Sequence, residues 1–157
     1  MKKIIISILS VGLISLFVYG CNSSSTKSSS KILEKGVYLG KNATKEIIEV
    51  SEDTTWTIKS DLKDSSNFNT VSVSDTGKKI DEYPVVKLTI EDTKGDIESY
   101  FGTREGRNFL VARENDNVYF IAISDENREE IEKNIVKEKE DKIAYLKRVS
   151  KYSFEKR

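Results

Sequence analysis

Cys21 is the only cysteine in a chain of 157 residues that contains no histidine. A thiol acts as a nucleophile in its thiolate form, which a neighbouring base or cation normally provides. Without histidine the usual general base at neutral pH is missing. The Ser-His-Asp and Cys-His systems and most zinc and haem sites go with it. The sequence therefore assigns no catalytic residue and no metal site, and no cofactor is expected. The 26 acidic residues could pair for glycan hydrolysis. Most of them stand in turn-like runs such as "SED", "ENDN" and "SDEN", where solvation accounts for them. "DENREE" (125 to 130) offers oxygens to calcium but lacks the spaced glycine and twelfth-position glutamate of a calcium loop. "GTREG" (102 to 106) lies between strand-like runs rather than ahead of a helix, so it reads as a hairpin turn and not a phosphate loop.

One cluster has the composition of a recognition surface. Tyr100, Arg104, Arg107 and Arg113 fall within a hairpin spanning 97 to 113, beside Phe101 and Phe109. Three of the chain's six arginines are here. Arginine and aromatic residues are enriched where proteins meet partners, which makes these four a candidate binding patch. The plainer reading puts the aromatics in the core and the arginines on an ordinary rim.

The surroundings of Cys21 give it a different task from catalysis. Met1-Lys2-Lys3 precedes an uncharged stretch from Ile4 to Tyr19, and Gly20 sits just before the thiol. A short basic end, an apolar run and a small boundary residue are the parts of an export signal. A spanning helix needs about 20 apolar residues, and no Lys/Arg cluster follows directly, so export is favoured over a retained anchor. Val18-Tyr19-Gly20-Cys21 resembles the lipobox of bacterial lipoproteins, with an aliphatic residue three before the cysteine and a small one adjacent. Tyr19 departs from that pattern, where a small or hydroxylated residue is usual. The resemblance covers residues 1 to 21 and implies cleavage between Gly20 and Cys21, with a diacylglycerol thioether on Cys21. Each buried methylene contributes about 0.8 kcal/mol, so two acyl chains hold a protein on a membrane without a spanning helix. With Cys21 carrying lipid, no thiol is left to pair, and the fold must stand without disulfides.

"NSSSTKSSS" follows, six serines in nine residues. It cannot bury enough apolar area to offset chain entropy and reads as a tether, about 30 Å long when extended. The expected organisation is a signal peptide over 1–20, a lipidated cysteine and tether over 21–34, and one domain over 35–157. Without Lys2 and Lys3, 24 basic residues face 26 acidic ones, a net charge of −2. This mixed surface lacks the basic stripe that nucleic acid would require.

From Lys35 the apolar period is mostly two. "GVYLG" (36 to 40), "EIIEV" (46 to 50), "TTWTIKS" (54 to 60), "TVSVS" (70 to 74), "VVKLTIE" (85 to 91), "IESYFG" (97 to 102), "RNFLVAR" (107 to 113) and "VYFIAIS" (118 to 124) read as strands. "LKDSSNFN" (62 to 69) reads as a loop; "DTGKK" (75 to 79) and "DTKGD" (92 to 96) read as turns. At Ser124-Asp125 the period changes, and a helix is expected over about 126 to 138, with Ile131 and Ile135 on one face. Residues 143 to 154 fit either a strand or a helix, and a strand that covers an open sheet edge is favoured. The fold class is mainly β: an antiparallel meander forming a curled sheet or small barrel, with one C-terminal helical segment. In architecture this resembles lipocalin-like barrels, although no motif carries the likeness.

The expected function is a non-catalytic binding or interaction module outside the cytoplasmic membrane, held there by the lipid on Cys21. Its further partner would be a protein or a small apolar ligand, and not nucleic acid. A protective lipoprotein that blocks phage or toxin entry and a carboxylate-dependent cell-wall hydrolase are the alternatives. A ligand-carrying barrel predicts an apolar interior pocket of at least about 300 Å³. The protective reading predicts a flat exposed patch, and the hydrolase a cleft with two carboxylates about 5 to 9.5 Å apart.

Overall fold

Alternation of side chains across a strand sorts one residue in two onto a common face. A computed structural model describes residues 31–41, 45–60, 66–95, 101–138 and 141–157. Its elements are β1 (Gly36–Gly40), β2 (Glu46–Val50), β3 (Thr55–Ser60), β4 (Phe68–Ile80), β5 (Tyr83–Lys94), β6 (Arg107–Glu114), β7 (Asn117–Ile123), α1 (Asp125–Lys137), α2 (Lys142–Val149) and β8 (Tyr152–Lys156). Each strand pairs antiparallel with its successor, and β8 pairs with β1, closing an eight-stranded barrel of lipocalin-like architecture. Closure leaves no sheet edge unpaired.

The inward faces fill the lumen. Ile48 and Val50, Trp56 and Ile58, Val71 and Val73, Val86 and Leu88, Phe109 and Val111, Val118 and Phe120, and Phe154 form one buried cluster. Trp56, Phe101, Phe109, Phe120 and Phe154 are all 0% exposed. A second cluster lies on the opposite face of the same sheet. Val85, Leu110, Ala112, Ile121 and Ile123 point outward and are covered by Ile131 and Ile135 of α1 and Tyr145 and Leu146 of α2. The run Phe109–Ala112 is consequently buried on both faces. Lys142 pairs with Asp81 and Lys147 with Glu114, tying α2 to the barrel below it.

Helix α1 begins as its residues dictate. Ser124 Oγ accepts from Asn127 N–H at 3.4 Å, and Asn127 Oδ1 accepts from Ser124 N–H at 2.8 Å, a reciprocal cap. The 143–154 segment, expected as one strand, divides in two. Ile143, Leu146 and Val149 follow the helical spacing and belong to α2, whereas Tyr152 and Phe154 alternate inward in β8. The closing strand thus exists but occupies only the last quarter of that segment, and the described residues form two helices rather than one.

Three further expectations change. "DTGKK" is no turn: β4 continues through it, with Thr76 and Gly77 bulged between the pairs Asp75–Val86 and Lys78–Val85. Gly77 absorbs the extra residues at φ +69°, and Ile80 then anchors the strand end in the outer cluster. The hairpin turns instead at Asp81–Glu82, where Asp81 adopts φ +55°, a conformation aspartate tolerates. At its other end this hairpin runs past "DT" to Lys94, which pairs with Phe68, so Phe68 and Asn69 are strand and not loop. The expected strand 97–102 is not one over its described part. Phe101 and Gly102 lie in a bend, Thr103 bridges to Thr89, and residues 96–100 lie outside the described ones.

Phe101 closes one pole of the barrel. Its ring enters the lumen and lies 4.6 Å from Phe120, 5.0 Å from Phe109 and 5.3 Å from both Tyr152 and Phe154, centroid to centroid. The opposite pole is closed by residues assigned to the tether, since Ile32 and Leu33 join the lumen cluster at 7% and 1% exposure. Two apolar residues in an otherwise polar stretch find burial there, so the folded body includes the segment from Lys31. Among the described residues, no helix is long and apolar enough to cross a membrane.

Candidate functional site

The candidate patch straddles the molecule. Arg104 lies in the turn after the Thr103 bridge, Arg107 opens β6 and Arg113 is the penultimate residue of that strand. All three are exposed. Arg113 lies six residues along the strand from Arg107, about 20 Å away. Arg104 and Arg107 therefore stand at the pole closed by Phe101, and Arg113 at the other. The structure brings two of the three arginines together and removes the third. Tyr100 lies outside the described residues, as do Gly20 and Cys21.

Around Arg104 and Arg107 the loop is held by its backbone. Ile90 N–H donates to Thr103 O at 3.0 Å, and Gly106 N–H donates to the same oxygen at 3.1 Å. Gly106 has φ +82°, and a Cβ there would meet Lys87 Cε at 2.1 Å. Lys87 thus lies over the glycine, on the outer face of β5, adding its ammonium to the neighbourhood of the two arginines.

Arg113 has a structural partner. Its Nη2 donates to Lys31 O at 2.7 Å and so holds the strip that carries Ile32 and Leu33. Beside it Tyr38 Oη donates to Glu34 O at 3.0 Å, and Lys156 pairs with Glu34. The Lys156 hydrogen bond and charge hold the Glu34 carboxyl below its usual range, and the same bond raises Lys156. The signs agree. A lowered carboxyl stabilises above its ordinary pKa, and a raised ammonium does so below its own, so the pair holds across neutral pH. Glu34 is exposed and Lys156 half-buried, so solvent screening keeps the contribution small. Burial, the largest influence on it, pushes the Tyr38 hydroxyl up. These groups line a shallow depression of ≈ 130 Å³ with Leu33, Asn115 and Asn117. Lys156 is 122 residues from Glu34 and Arg113 is 82 from Lys31, so no local spacing announces this latch.

No family model, curated protein or solved structure matches the chain. Function therefore has to be argued from the geometry. Other depressions are also external: one of ≈ 260 Å³ lies between β7 and the helices, lined by Ile121, Ile131, Tyr145 and Val149. Another of ≈ 300 Å³ is lined mainly by polar groups, including Thr76, Asn108, Asp125 and Arg128. Among the described residues no group of three or more potential metal ligands occurs. Surface replacements away from caps and buried pairs change stability by about 0.5 kcal/mol or less. Arg104→Glu is accordingly expected to leave the thermal midpoint almost unchanged. Arg113→Glu, which breaks the bond to Lys31 O, is expected to lower it; parallel melts of the two variants check both statements.

Proposed function

We propose that the chain is a surface lipoprotein, anchored through Cys21, whose barrel is a non-catalytic binding module using its outer surface. The observation that carries this reading is the filled lumen: large rings occupy the interior, Phe101 closes one pole, and Ile32 and Leu33 close the other. A barrel packed in this way has its exposed faces and rims for contact with partners. Orientation follows from the latch. Arg113 holds Lys31 at one pole, so the residues leading back to Cys21 depart from there. The pole bearing Arg104 and Arg107 then faces away from the membrane, where another molecule meets it first.

A protective lipoprotein is the second reading, because engagement of a membrane partner or an incoming particle also needs an outer face rather than a cavity. Both rest on the same anchor. Expression of the full chain in a bacterium, followed by mass measurement of the N-terminal peptide, is expected to give Cys21 at the terminus carrying diacylglycerol. Cys21→Ser is expected to move nearly all of the protein out of the membrane fraction. An unmodified Cys21 in the wild-type peptide would overturn the proposal. On intact cells, Arg104→Glu with Arg107→Glu is expected to remove cross-linked species formed by the wild type, and an unchanged pattern excludes that pole as the contact.

A further inference from the structure

Trp56 and Asn69 are the two residues whose buried side-chain polar atoms lack a hydrogen-bond partner among the described residues: the indole Nε1 and both the Nδ2 and Oδ1 of the carboxamide. Trp56 is 0% exposed and Asn69 1%. Polar groups removed from water this completely are nearly always satisfied by protein or by an internal water. The strand register relates the two residues. Trp56 lies on the lumen face of β3 with Ile58, and Asn69 on the lumen face of β4 with Val71 and Val73. Trp56 stands opposite Val71 and Ile58 opposite Asn69. The two polar side chains are therefore diagonal neighbours on one face of adjacent strands, a separation of about 7 to 8 Å that long side chains span. Turning the carboxamide over exchanges its oxygen and nitrogen but partners neither.

We propose that the lumen between β3 and β4 holds one small neutral guest, a water molecule, bound by Trp56 Nε1–H and the Asn69 carboxamide. The indole only donates, whereas the carboxamide both donates and accepts. A water accepts the indole proton, accepts from Nδ2 or donates to Oδ1, and so reaches the two to four bonds usual for a buried water. The two groups that bind it are uncharged, which suits a neutral guest; the nearest buried carboxylate on the lumen face is that of Glu46, two residues before Ile48 in β2. Its size is set by the packing. Phe120 stands edge-on to Trp56 at 6.1 Å, and Ile48, Ile58 and Val71, each 0% exposed, fill the neighbouring inward positions.

Trp56 is the chain's only tryptophan, so the full ¹⁵N-labelled protein gives one indole N–H signal. Its cross-relaxation with water is expected to show opposite signs in NOE and rotating-frame spectra without fast exchange, the mark of a long-lived neighbour. Asn69→Leu keeps the side-chain shape and removes the polar atoms. It is expected to abolish that contact and to lower the thermal midpoint by about 5 °C, since it strands the indole N–H. Absence of the indole–water contact in the wild type would overturn the proposal. So would a higher midpoint for Asn69→Leu, which would mark Asn69 as an uncompensated polar group. If Asn69→Leu does not fold, the wild-type spectrum decides alone.

Discussion

Phe101→Ala is expected to destabilise the barrel by about 3 to 5 kcal/mol, measured as the difference in extrapolated free energy of urea unfolding. The ring is fully buried and meets four other rings at 4.6 to 5.3 Å. Its removal deletes the transfer free energy of a large side chain and leaves a hole that partners on three different strands cannot jointly collapse to fill. A domain of this size is stable by about 5 to 15 kcal/mol, so the change places the variant near the limit of folding. Phe101→Leu, which keeps most of the volume, is expected to cost clearly less. A loss below about 1 kcal/mol for the alanine variant would show that the ring does not close the pole.

The second large effect belongs to the other pole. Ile32→Ser combined with Leu33→Ser is expected to cost about 3 to 6 kcal/mol, from two buried aliphatic side chains at roughly 1.5 to 3 kcal/mol each. The same change releases the strip that Arg113 and Lys156 hold, so trypsin should cut after Lys35 much faster than in the wild type. Equal digestion rates, with an unchanged urea midpoint, would place Ile32 and Leu33 outside the folded body.

The strands were legible where inward and outward residues differ in kind. Trp56 and Ile58 alternate with threonine and lysine, and Val86 and Leu88 alternate with Lys87, so the lumen face reads directly from period two. The β6 strand is harder to orient, because its outer face is covered by α1 and α2. The polar run 75–79 read as a turn because nothing in it is apolar. It remains strand because backbone pairing with β5 carries it as far as Ile80. Phe101 read as a strand residue, since a ring that enters a lumen from a loop leaves no periodic trace. The candidate patch spreads over both poles for a related reason. Sequence places Arg113 near Arg107, but a strand extends by more than 3 Å per residue and carries them to opposite poles. The pairing of Arg113 with Lys31 joins residues 82 apart and had no local signal. Trp56 reads as an ordinary strand residue and Asn69 as the end of a loop, and only the register makes them neighbours.

The strip over the pole has a mechanical consequence. Strand β1 starts at Gly36, directly after the latched segment, and lies between β2 and β8. Tension arriving through Lys31 pulls β1 lengthwise against both neighbours. Ladder hydrogen bonds run across the strands, so such a load falls on all of them together rather than on one after another. Before reaching the ladder it must first draw Ile32 and Leu33 out of the lumen. With the anchor proposed at Cys21, load would reach the sheet in the direction in which it resists extension best.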